Sequence, residues 1–110
     1  MSKYKEIARQ YFSSFSNKDA AGLAELFAED VGLRDWEIAV SGKSSVLQAN
    51  QNIFDTVGSI EVIPVLVVEE GDVVIAQLEI ILNGKENLRV VDILRFASDG
   101  TIRQVTAYKG

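Results

Sequence analysis

At Gly58 the chain changes its period, and that switch constrains the fold more than any other feature. Before it, apolar residues recur at helical spacings. After it, Val- and Ile-rich runs alternate with short turns containing Gly, Asn and Asp. Helical segments followed by consecutive strands predict an α+β domain, three helices packed on a strongly curved antiparallel sheet that encloses an apolar pocket. With 110 residues there is room for one domain, 1–110, and one core.

The helical part divides at its turn residues. Tyr4, Ile7, Ala8, Tyr11, Phe12 and Phe15 place one apolar stripe on a first helix of about four turns. Ser16-Asn17-Lys18 ends it, Asn17 being suited to the left-handed turn, and Asp19 reads as the N-cap of a second helix. Leu23, Leu26 and Phe27 form that helix's buried face, and it is expected to run to Glu29-Asp30. Val31–Val40 reads as a strand or extended segment carrying Arg34-Asp35-Trp36. After the turn Ser41-Gly42-Lys43, Ser44 or Ser45 is expected to cap a third helix. Its buried face is Val46, Ala49, Asn50, Ile53 and Val57, and Gly58 stops it.

Four strands follow: Ile60–Glu69, Val73–Leu82, Leu88–Ala97 and Thr101–Lys109. Pro64 marks the first as an edge strand or a bulge. Asn83-Gly84 is a strong hairpin turn signal. Ile60–Val68 and Val73–Leu82 are apolar on both faces, so the sheet needs cover on both sides. Helices can cover the concave side; the convex side then calls for a second copy, which predicts a homodimer.

Composition removes several functions. A net charge of −5, with no Lys/Arg block longer than two, argues against a nucleic-acid partner. The chain has no Cys, so disulfides, thiolate nucleophiles and sulfur-ligated metals are excluded. It has no His either, which leaves acid–base work to Asp, Glu, Tyr or Lys. No metal or cofactor is expected. Met1-Ser2-Lys3-Tyr4-Lys5-Glu6 lacks the apolar run of a signal peptide, and no run of about 18 apolar residues could span a bilayer. A cytoplasmic protein without a membrane partner is the expectation.

Three polar residues interrupt apolar surroundings: Tyr11 on the first helix's stripe, Asp92 inside Leu88-Arg89-Val90-Val91-Asp92-Ile93-Leu94, and Asp35 between Arg34 and Trp36. Each also has a plain reading. A Tyr on an apolar helix face is usually core. Alternation puts Asp92 with Val90, Leu94 and Phe96, and Arg95 with Val91 and Ile93, and either face could be the solvated one. Asp35 beside Arg34 suits a surface turn.

Arg9-Gln10-Tyr11-Phe12, Asn17-Lys18-Asp19 and Leu26-Phe27-Ala28-Glu29-Asp30 resemble the start of a nuclear transport factor 2-like domain of the SnoaL-like and ketosteroid-isomerase-like branch. Val91-Asp92-Ile93-Leu94-Arg95-Phe96 with Asp99-Gly100-Thr101-Ile102 resembles that branch's last hairpin. The likeness covers nearly the whole chain and implies a cone-shaped α+β roll. It places Tyr11 and Asp92 at the isomerases' oxyanion-hole tyrosine and protonated aspartate, and Asp35 at the aspartate that moves the proton. A small apolar carbonyl compound is the implied ligand, with Trp36, Leu94, Phe96, Val105 and Ala107 as expected walls; a non-catalytic binding or dimerisation module is the alternative. Two departures tell against a steroid-sized ligand: Trp36 replaces the Pro that follows the isomerases' base, and the Gly84–Asp92 loop is a residue short.

Overall fold

The computed structural model describes residues 3–110, which form three helices and six strands. Helix α1, Lys3–Ser16, buries Ala8, Tyr11 and Phe12 along one stripe, as the spacing requires. Lys18, not Asn17, takes the left-handed conformation at its end, with φ of 54°. The Lys18 ammonium donates to the carbonyls of Val57 (2.5 Å) and Gly58 (3.2 Å), which offsets the backbone cost and ties this turn to the far end of α3. Asp19 caps α2, Ala20–Leu26, its carboxylate accepting from the Gly22 amide at 2.9 Å.

Helix α2 is shorter than its sequence suggests. It ends at Leu26, and Phe27 opens strand β1, Phe27–Arg34. The reason is tertiary: Phe27 pairs with Ile102, and Val31, Gly32 and Leu33 are buried beyond it. The expected single extended segment 31–40 is instead a hairpin. Strand β1 turns at Asp35 and returns as β2, Ala39–Ser41, with Gly32 opposite Ser41. Gly42, with φ of 92°, caps α3 (Lys43–Thr56) with no side-chain hydrogen bond; Ser44 and Ser45 lie within the helix and are exposed. The inward row of α3 is Val46, Asn50 and Phe54, one turn apart. Phe54, absent from the predicted face, is deeper than Ile53 and meets Phe15 edge-on at 5.1 Å.

Strands β3 (Ile60–Glu70), β4 (Val73–Leu82), β5 (Glu86–Phe96) and β6 (Ile102–Lys109) form the expected meander. The sheet order is β2-β1-β6-β5-β4-β3, and β1 runs parallel to β6, so the sheet is mixed rather than wholly antiparallel. Pro64 sits on edge strand β3 beside an irregularity in register between Pro64 and Leu66. Asn83 and Gly84 both have positive φ, 55° and 69°, in the three-residue turn 83–85 that joins Leu82 to its partner Glu86.

Alternation sorts the two faces. Val74, Ala76, Leu78, Val90, Leu94 and Val105 are buried. On the other face, register lines up Leu66, Gln77, Val91 and Tyr108 in one row and Val68, Ile75, Ile93 and Thr106 in the next. Leu66, Val68, Ile75 and Tyr108 are exposed. No helix among the described residues is long and apolar enough to cross a membrane.

Candidate active site

Helices α1 and α3 and the inner face of the sheet bound a cavity of about 440 Å³. Phe12, Phe15, Ile53, Val62, Leu78 and Ile80 supply much of its apolar wall. A volume of this size suits a small organic ligand.

Tyr11, Asp35 and Asp92 all line this one cavity, although they come from a helix, a turn and a central strand. Tyr11 reaches it because the apolar stripe of α1 faces the sheet; its ring packs against Phe12, Phe15 and Phe27 at centroid distances of 5.6, 5.9 and 6.1 Å. Asp92 lies between Val90 and Leu94 on the inward face of β5 and is 7% exposed. Its face is the dry one; Arg95 points out. Asp35 is half-buried in the β1–β2 turn. Its Oδ1 accepts from the amides of Glu37 (2.7 Å) and Ile38 (2.9 Å), an Asx turn that fixes the carboxylate and leaves Oδ2 uncommitted to these amides.

Burial perturbs the two deep groups. Asp92 is pushed up to about 7, first by desolvation and then by the negative charge of Asp35. Tyr11 is raised well above its ordinary value by desolvation, with Asp92 and then Asp35 adding to the effect. Both residues line the cavity, and burial is the leading cause of each shift. At pH 6 such a carboxyl is mostly a donor, and at pH 8 mostly an acceptor.

Of the expected walls, Val105 and Ala107 line the cavity, and Trp36 lies on its rim, 44% exposed. Lys109 sits over the Trp36 indole at 5.8 Å. Leu94 and Phe96 do not line it. Leu94 is fully buried opposite Val74, and Phe96 stacks on Tyr4 at 4.7 Å. Alternation gave their face correctly, but the cavity stops at Asp92 and these two pack in the solid core beyond. Among the cavity residues not singled out as functional is Asn50, whose signal was an amide in an otherwise apolar helical row. Among the described residues no group of three or more acidic side chains is placed to hold a metal ion.

A family model described as the SnoaL-like domain matches residues 8–105. The chain belongs to the SnoaL-like family. Solved structures agree with this fold. A proposed ketosteroid isomerase from Kribbella flavida is 24% identical, with a TM-score of 0.86, 98% of this chain covered and 78% of that one. A proposed SnoaL-like polyketide cyclase from Shewanella denitrificans is 15% identical, with a TM-score of 0.87 and coverage of 97% and 90%. A SnoaL-like protein of unknown function from Burkholderia thailandensis is 11% identical, with a TM-score of 0.87 and coverage of 100% and 97%. At such identities the likeness is one of fold. No curated protein matches in sequence.

Proposed function

We infer that this SnoaL-like domain catalyses proton transfer next to the carbonyl of a small, apolar, uncharged compound. One observation carries the reading: a carboxyl that titrates at about 7 and a buried phenol share an apolar cavity with a carboxylate held by two amides. Asp35 Oδ2 takes the proton from the carbon beside the carbonyl. The C–H electron pair moves into the carbon–carbon bond as the carbonyl π pair goes to oxygen, giving an enolate. Tyr11 and protonated Asp92 donate to that oxygen as its charge grows, in a site where little reorganisation is needed. Asp35 then returns the proton to the same carbon or to another.

Incubating the protein with α-tetralone in heavy water and following loss of the protons beside the carbonyl by NMR tests this. Exchange faster than in buffer, abolished by Asp35→Asn while tetralone binding persists, is the expected result. Binding with no exchange above background would make the pocket a binder only. One observation favours that second reading: Asp35 Oδ1 already has a structural use in its turn. A second copy on the convex face belongs to both readings, since Leu66, Val68, Ile75 and Tyr108 are otherwise wet. Sedimentation of Leu66→Asp, expected to run as a monomer beside a dimeric wild type, checks it.

A further inference from the structure

Proton transfer as described leaves Asn50 without a task. It stands in the middle of α3, is 2% exposed, and lines the cavity. Its Nδ2 is buried with no hydrogen-bond partner among the described residues. Native interiors rarely tolerate this, because an unmet buried donor costs about 1–3 kcal/mol. Nothing in the row demands a polar side chain, since Val46 and Phe54 fill the positions one turn to either side. A Leu would suit the packing. The side chain lines the cavity, but Nδ2 itself is closed off, so it meets a ligand only when the amide turns about its Cβ–Cγ bond toward the opening.

The deep polar groups of the cavity are then Tyr11, Asp92 and Asn50. The other polar lining residues besides Asp35 are Glu37, Asn52, Thr56, Glu86 and Lys109, and all are exposed. A carbonyl oxygen has two lone pairs. If Tyr11 and protonated Asp92 occupy both, a third donor has to find a different atom. The charges narrow the ligand further: Asp35, Glu37 and Glu86 outnumber Lys109, the one cation among the described lining residues, a poor setting for a carboxylate or phosphate ligand.

We propose that the Asn50 amide turns on binding and that its Nδ2 donates to a second oxygen of the ligand, so that the substrate is an uncharged ketone bearing another carbonyl or hydroxyl group. This rests on the proton-transfer reading for the first oxygen, and Asn50 thereby determines specificity. Aromatic alcohols are suitable probes, because their oxygen sits on a trigonal carbon as an enolate's does. Naphthol offers one such oxygen; the isomeric dihydroxynaphthalenes offer a second at different spans.

Calorimetric titration of wild type should find an isomer that binds about tenfold more tightly than naphthol, the equivalent of about 1.4 kcal/mol. Asn50→Leu should erase that advantage and bind naphthol as wild type does, with no loss in melting temperature. Asn50→Ala serves as the second variant if Leu disturbs α3. The Asn50 side-chain amide resonances should shift with the preferred isomer and stay in place with naphthol. No preferred isomer, no binding of any member of the set, or a preference that survives both substitutions would overturn the proposal. The first-oxygen reading has its own readout: naphthol affinity that ignores Tyr11→Phe sinks that reading whatever Asn50 does.

Discussion

Replacing Asp92 with Asn should flatten the dependence of stability on pH. In the unfolded chain this carboxyl titrates near 3.8, and in the native cavity at about 7. The native state thus holds a proton that the unfolded chain has already released. Its stabilising effect is complete below the unfolded value and is lost as pH rises through the folded one. The interval is just over three pH units at about 1.36 kcal/mol each, or about 4 kcal/mol in all. Between pH 5 and pH 7, roughly 2.5 kcal/mol should disappear, followed by a plateau above pH 8. For a domain whose total stability is about 5–15 kcal/mol this is a large share. With a urea slope of about 1–3 kcal/mol per molar, the midpoint should fall by about 0.8–2.5 M. Urea denaturation followed by circular dichroism at pH 5, 6, 7, 8 and 9, for wild type and Asp92→Asn, reads this directly. Wild type should lose stability with rising pH while the amide variant holds level. Two profiles of the same shape, or a wild type that gains stability towards pH 7, would mean that Asp92 meets solvent as an ordinary carboxylate.

Asp35→Asn removes the negative charge that helps raise Asp92, so the Asp92 carboxyl carbon should titrate at lower pH in that variant; an unchanged NMR titration would show that the two groups do not sense each other. Turnover that needs a protonated Asp92 should decline as pH climbs through about 7, and a pH–rate profile of kcat/KM for proton exchange checks it. Asp19→Ala deletes an exposed cap and should cost about 1 kcal/mol in denaturant titration, with no change at the cavity. Leu94→Ala should cost about 2–5 kcal/mol yet leave naphthol affinity intact, because Leu94 packs outside the cavity.

Much of this fold is legible along the chain because local chemistry and tertiary context agree there. Asp19 has an amide to accept from, Asn83 and Gly84 take the positive φ that a short hairpin turn needs, and Pro64 falls on an edge. Failures occur where one residue satisfies two patterns. Leu23, Leu26 and Phe27 fit a helix face, but Phe27 is worth more to the sheet beside Ile102, and no local propensity reveals that parallel partner 75 positions away. The third helix was one residue out at Phe54, since Ile53 fits the same stripe.

The site was partly legible for a related reason. Tyr11 and Asp92 stand out as polar groups in apolar rows, and alternation assigns the face of Asp92, but only packed helices decide which face is dry. Where the hollow stops along β5 depends on Val74 and Tyr4, which lie far from Leu94 and Phe96 in sequence. Asn50 gave the same kind of signal as Asp92, a polar group amid hydrophobes, and its meaning emerged only from the missing partner.

Asp35 is held by amides of its own turn, only two and three residues onward, whereas Tyr11 and Asp92 are locked into a helix stripe and a central strand. The exchangeable half of any chemistry here is therefore a local cassette at the rim. Relatives could exchange, lengthen or lose that four-residue bend while the embedded donors stay put, so one scaffold could move between catalyst and receptor by editing a stretch that bears little of the structure's weight.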